Sequence, residues 1–152
     1  MATKELFVIA FDLGGVIFAR HNDNRFFKKN YLETELSFGI YTLITDLSKD
    51  PSIKLIIISK AFPKNAKRSK EILDLYKLTE HFNSIIFCED NASKYPIAKA
   101  MKVDLMIDDK PEVLEPFHES IPTFLYNSES SSRLRGVISM LRAPVGLWKI
   151  NL

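Results

Sequence analysis

Apolar residues gather in five short runs along the chain, at 6–11, 53–58, 84–87, 103–107 and 121–125. The first two, LFVIAF and IKLIII, are nearly continuous and rich in β-branched or aromatic residues. Strands buried on both faces of a sheet read this way. Between the runs the apolar period changes. Leu36, Ile40, Leu43 and Leu47 recur at helical spacing and predict an amphipathic helix over about 34–48. Pro63 and Asn65 suit a helix start, and Ile72, Leu73 and Tyr76 line one side of the stretch 67–77. A short helix is expected over 95–101 and another from Pro111. Leu134, Val137, Ile138 and Leu141 mark a last helix, with Pro144 beyond it. The tail 145–152 reads either as an edge strand or as a docked end.

Strand and helix alternate, which predicts βαβ units and a three-layer α/β sandwich around a central parallel sheet of about five strands. Crossovers in such sheets are right-handed, and ligands sit at the carboxyl ends of the strands. One domain is expected over 1–152, with a flap at about 17–33 and a tail at 143–152. No repeats or low-complexity segments interrupt it, and 127–132 is too short to divide domains.

Composition narrows the class. The chain has 152 residues, 46% apolar and 26% charged, enough to bury a core without staples. A net charge of +2 does not argue for nucleic acid or membrane binding. The single cysteine, Cys88, rules out an internal disulfide and fits a reducing compartment. The first apolar run ends in an aspartate and reads as a strand rather than a signal peptide. No run approaches the roughly 20 apolar residues of a membrane helix. A cytoplasmic protein is therefore expected.

The chemistry lies at the strand ends. Asp12 follows the first strand and leads into Leu13, Gly14 and Gly15. Ser59 and Lys60 follow the second, and Asp108 and Asp109 the fourth. Lys94 precedes the helix that feeds the fourth strand. All would converge on one sheet edge. Cleavage of a phosphate ester asks for such parts: a carboxylate to attack phosphorus, hard oxygen ligands for magnesium, and a lysine and a hydroxyl for the phosphoryl oxygens. Glycines let the backbone turn and approach the phosphate.

These residues resemble a known family. FVIAFDLGGVI is similar to the first motif of the haloacid dehalogenase (HAD) superfamily of hydrolases, LIIISK to its second, and VDLMIDD to its fourth. Lys94 can serve as the third-motif lysine. The resemblance covers about residues 5–125. It implies Asp12 as nucleophile and magnesium ligand, with the Gly14 carbonyl and Asp109 as further ligands and Asp108 beside them. It implies Ser59 and Lys94 as phosphoryl-binding groups, with Gly15 and Lys60 lining the substrate side. DLMIDDKPEVLE resembles the acidic motif of the deoxyribonucleotidase branch.

One position departs from the family pattern. Most family phosphatases carry a second aspartate two residues after the nucleophile as general acid and base, and here that position is Gly14. General acid catalysis contributes about 10²–10⁴-fold. The expected function is thus magnesium-dependent phosphomonoester hydrolysis, with a non-catalytic binding module as the alternative. A receiver-like phospho-acceptor domain ranks last, because its acceptor would follow a middle strand of the sequence.

The family differs mainly in cap domains, and neither insertion gap here has room for one. The flap holds only a short segment, drawn as a hairpin around 21–24, so an open site is expected. Capless members act on large substrates or are covered by another subunit. Partners are expected to be a phosphorylated small molecule, nucleotide or phosphoprotein, with a second copy of the chain as a further candidate. Lys60, Lys64, Lys67, Arg68 and Lys70 read either as a basic rim or as a solvated helix face. His21, His81 and His118 show no metal spacing. Cys88 reads as a small buried apolar residue, and Phe26, Phe27 and Tyr31 as packing for the flap. Glu89 and Asp90 read as solvated loop acids.

Overall fold

The structure, a computed structural model, describes residues 6–143. Five strands form one parallel sheet in the order β3-β2-β1-β4-β5: β1 (Phe7–Phe11), β2 (Ile53–Lys60), β3 (Ser84–Cys88), β4 (Leu105–Asp108) and β5 (Thr123–Leu125). The helices are α1 (Ile40–Ser48), α2 (Pro63–Leu75), α3 (Lys94–Ala100), α4 (Pro111–Leu114) and α5 (Ser131–Arg142).

Successive strand residues point to opposite faces, and both faces are covered. Ile9 and Phe11 of β1, Leu55 and Ile57 of β2, and Leu105 and Ile107 of β4 pack with Leu43, Ile44, Ile72, Leu73, Leu134 and Ile138 on one side. Val8 and Ala10, Ile56 and Ile58, and Met106 pack with Ala98, Leu114 and Phe117 on the other. The continuous apolar runs thus serve two cores at once, and the expected three layers form.

The strand order reverses direction at β1. The chain moves outward through β2 and β3, then crosses back to lay β4 on the other side of β1. A crevice opens at such a switch point, beyond the carboxyl ends of the two strands. Asp12 follows one of them and Asp108 ends the other. The order also differs from the 2-1-3-4-5 sheet of receiver-type folds, which removes that reading.

Several boundaries differ from the sequence pattern. The helix expected from about 34 starts at Ile40, because Gly39 takes a left-handed φ of 75° and interrupts it. Leu36 instead forms an isolated antiparallel bridge with Phe18, and Ser37 donates its N–H to Ile17 O. Strand β2 runs on through Ser59 and Lys60, so these residues lie within its last turn of pleat rather than past it. Strand β4 starts at Leu105 rather than 103, and β5 at Thr123 rather than 121. The hairpin drawn at 21–24 is a turn at Asn24 followed by two 3-10 turns, Arg25–Phe27 and Tyr31–Glu33. The tail 144–152 lies outside the described residues.

The flap is clamped to α2. Arg68 donates to Phe26 O at 3.0 Å and stacks over the Tyr31 ring. Tyr31 Oη bonds Glu71, and Tyr76 Oη donates to Thr34 O at 2.7 Å. Phe26 packs against Phe18 and Phe27, while Phe27 itself is 63% exposed.

Candidate active site

At the switch point, the Asp12 N–H donates to Ile107 O at 2.9 Å and ties the end of β1 to β4. This bond brings the Asp12 side chain beside Asp108 and Asp109. One carboxylate oxygen from each of the three lies within 4.8 Å of the others. Asp12 and Asp108 are buried. Lys94, the first residue of α3, is buried as well and reaches between them. Its Nζ stands 3.2 Å from Asp12 Oδ1 and 2.8 Å from Asp108 Oδ2. The second Asp108 oxygen accepts from the Lys110 N–H at 3.1 Å, so Asp108 also caps the turn into α4.

Removing these charges from water has a cost, and the carboxyls register it. Burial pushes Asp12 up to about 6, with the Lys94 charge opposing and the Asp108 charge adding to the rise. Burial also raises Asp108, again against Lys94. Burial alone would lower the Lys94 ammonium, but the two carboxylates outweigh it and hold it above its usual value.

Asp109 is placed differently. Its Oδ2 meets the Arg20 guanidinium, with Nε at 3.0 Å and Nη2 at 2.9 Å. Its Oδ1 is buried and has no hydrogen-bond partner among the described residues. An acceptor of this kind, in a cluster of three acids, fits a hard divalent cation. The Gly14 carbonyl lies on the same side, 3.5 Å from Arg20 Nη2. The residues present could therefore hold a divalent cation through oxygen.

The two glycines play different parts. Gly15 has a φ of 80°, and a Cβ there would collide with Asp109 Oδ2. No other residue allows that approach without displacing Asp109. A Cβ on Gly14 would meet nothing nearer than Arg20 Nη2 at 3.9 Å, so its lack of a side chain is not imposed by space.

A cavity of about 540 Å³ extends from this cluster along the flap. Asp12, Gly14, Gly15, Ser59, Lys60 and Lys94, all named from the sequence, line it. Asp108 and Asp109 do not line it; they meet it through Lys94 and Arg20, which do. Flap residues Ala19 to Asn22 and Asn24 to Phe27 border one side of it, and no cap domain covers it among the described residues.

The basic residues after β2, read as either a rim or a solvated face, divide. Lys60 faces the cavity, Arg68 is spent on the flap, and Lys70 lies over the Phe87 ring. His21 lines the cavity but accepts the Glu35 N–H, and His81 bonds Ser48 Oγ. Cys88 is buried and donates to Ser59 O, and burial raises its thiol, which suits no nucleophile. Asp90 accepts from Ser93 N and Oγ and caps the turn before α3. Arg20, Arg25 and Lys110 also line the cavity and were not singled out from the sequence. Arg20 carries no motif that marks it. Only its distance from Asp109 does.

An acid cluster at the switch point of a parallel sheet defines the class: a doubly wound α/β protein with its candidate site beyond β1 and β4. More closely, the chain has the haloacid dehalogenase-like fold. A haloacid dehalogenase-like family hydrolase from Xanthomonas campestris matches with a TM-score of 0.58 at 8% identity, over 91% of this chain and 99% of the other. The HAD domain of the effector protein Lem4 from Legionella pneumophila matches with 0.58 at 13% identity, over 91% and 98%. A chain of the Pnkp1/Rnl/Hen1 RNA repair complex matches with 0.67 at 15% identity, over 83% of this chain and 44% of the other. The present chain thus spans somewhat under half the length of that one. No protein-family model and no curated protein matches the sequence. No described helix is long and apolar enough to cross a membrane.

Proposed function

We propose that the protein is a magnesium-dependent phosphomonoesterase with Asp12 as its nucleophile. The observation that carries this reading is the carboxylate trio at the switch point, two of its acids buried, with one oxygen that has no donor among the described residues. Asp12, Asp109 and the Gly14 carbonyl would hold the ion, with Asp108 as its neighbour. Bound there, magnesium offsets the carboxylate charge and polarises a phosphoryl oxygen.

The chain's own groups supply the rest. Lys94 fixes the Asp12 carboxylate through Oδ1 and favours its ionised form. An Asp12 oxygen attacks phosphorus, and the bond from phosphorus to the ester oxygen breaks with its electron pair going to the leaving oxygen. Ser59 and Lys60 line the side where the phosphoryl oxygens would lie. Water then attacks the phosphorus of phospho-Asp12 and frees the carboxylate. Gly14 offers no proton to the leaving group. Substrates that leave as stable anions, or that take a proton from water, are therefore favoured.

The cavity volume lies within the range of small-ligand sites. Its cations and the rings of Phe26 and Phe27 support a phosphorylated small molecule of nucleotide size over a phosphoprotein. A second reading, a module that binds phosphorylated ligands without turnover, is favoured by Gly14 alone.

Incubation with magnesium and p-nitrophenyl phosphate, beside Asp12→Asn, tests the first reading. Release by the parent alone, abolished by EDTA, is the expected result. Equal release from both proteins would remove Asp12 from the chemistry. No release from the parent, together with measurable binding of inorganic phosphate, would select the binding module.

A further inference from the structure

Arg20 is a flap residue whose side chain is 59% exposed, yet its guanidinium turns inward onto the acid cluster. Its Nε donates to Asp109 Oδ2 at 3.0 Å, and Nη2 stands 2.9 Å from the same oxygen as an ion pair. The nitrogen Nη2 also lies 3.5 Å from the Gly14 carbonyl, close enough for attraction though long for a hydrogen bond. Asp109 and the Gly14 carbonyl are two of the groups proposed above to hold the ion. The guanidinium thus stands where a cation would stand.

The loop is shaped to admit it. A Cβ on Gly15 would lie 2.8 Å from Arg20 Nε as well as against Asp109. At Gly14, the nearest neighbour to a Cβ is Arg20 Nη2. The space where most relatives would carry a proton-transferring aspartate therefore faces a guanidinium.

Charge decides between joint and alternative occupancy. Asp12, Asp108 and Asp109 carry three negative charges, and Lys94 and Arg20 supply two positive ones. One negative charge is left over. A dication in place of Arg20 balances the cluster. A dication added to Arg20 puts two cations against one Asp109 carboxylate, where they repel. Once displaced, Arg20 stays on the wall of the same cavity. The phosphoryl group of a bound ester is then the nearest unmatched anion, and a guanidinium fork suits its paired oxygens.

We propose that Arg20 is a phosphate-binding arm that rests on the cation position, so that metal and Arg20 compete for Asp109 and metal binding releases the arm to the substrate. This rests on the metal site of the function proposed above. Arg20 stabilises phosphoryl or leaving-group oxygens by charge and leaves the bond changes at phosphorus as already written.

The test uses the full chain stripped with EDTA, as parent, Arg20→Ala and Arg20→Lys. Magnesium alone is titrated calorimetrically, and inorganic phosphate is titrated separately in saturating magnesium. The side chain is largely exposed, so the variants are expected to melt close to the parent. The expected result is magnesium binding about two- to fivefold tighter in Arg20→Ala, the scale of an exposed ion pair removed. Phosphate binding should weaken about tenfold in the same variant, with Arg20→Lys between it and the parent in both titrations. Unchanged or weaker magnesium binding in Arg20→Ala overturns the competition and leaves the metal site standing. Tighter magnesium with unchanged phosphate binding overturns the arm. Absence of magnesium binding in both parent and Arg20→Ala removes the metal site itself, and this inference with it.

Discussion

Replacing Asp12 by asparagine is predicted to stabilise the metal-free protein at neutral pH. Asp12 is 8% exposed, and burial moves its pKa from 3.8 to about 6. A tenfold change in an ionisation constant is worth about 1.4 kcal/mol, so ionising Asp12 costs the folded state about 3 kcal/mol relative to the unfolded chain. The sign follows from proton counts. Below pH 4 both states hold the proton and the cost is absent. Between about pH 4 and 6 the unfolded chain ionises while the folded one keeps its proton, so stability falls as pH rises. Above pH 6 the loss is complete. Asparagine has nothing to ionise, and the Lys94 attraction is already contained in the net rise of the Asp12 pKa, so the variant gains up to about 3 kcal/mol. Urea unfolding of parent and Asp12→Asn in EDTA, from pH 4 to pH 8, measures it. The difference should be near zero at pH 4 and reach its full value by pH 7. At about 2 kcal/mol, the melting temperature of Asp12→Asn should lie roughly 4–8 °C higher. A variant less stable than the parent at pH 7 would refute the reasoning. Magnesium should reverse the ranking, because a ligand that binds only the folded parent stabilises it alone.

Other perturbations give distinct readouts. Lys94→Met leaves Asp12 and Asp108 buried without the cation between them, and should cost about 3 kcal/mol or more of stability in urea unfolding, with phosphatase activity lost. Gly14→Asp has room for its Cβ and restores a proton donor beside the cavity. It should raise turnover of alkyl phosphates about tenfold or more while changing p-nitrophenyl phosphate little, since nitrophenolate leaves without a proton. Equal effects on both substrates would mean the position does not face the leaving group.

Much of the fold was legible because its strands are buried on both faces. Runs such as FVIAF and LIII have no polar face to confuse with a helix stripe, and each becomes a strand with neighbours in both cores. The helix expected from 34 failed for a local reason. Leu36 happens to keep helical spacing with Ile40, but Gly39 breaks the turn and frees Leu36 to bridge Phe18. The Phe38-Gly39 pair was the available signal. The site residues were legible where chemistry and strand ends coincide, as at Asp12, Asp108 and Asp109. Lys94 converges on them although it is far from Asp12 in the chain, because α3 begins under the same edge. Arg20 was not legible. A lone arginine in a flap has no periodicity, and its meaning depends on where that flap folds back. The clamping of the flap was not legible for a related reason: gap length excludes a cap domain but says nothing of how a short loop is held, and here Arg68, Tyr31 and Tyr76 hold it.

The central claim concerns the atom that accepts the phosphoryl group. Mixing the protein with magnesium and a good phosphoryl donor, quenching in acid and mapping the peptides by mass locates that atom. The account predicts one added phosphoryl group on the peptide containing Asp12, removed by hydroxylamine as an acyl phosphate should be, and missing from Asp12→Asn. Turnover by the parent with no phosphoryl group on that peptide, or with one on a different residue, would contradict it.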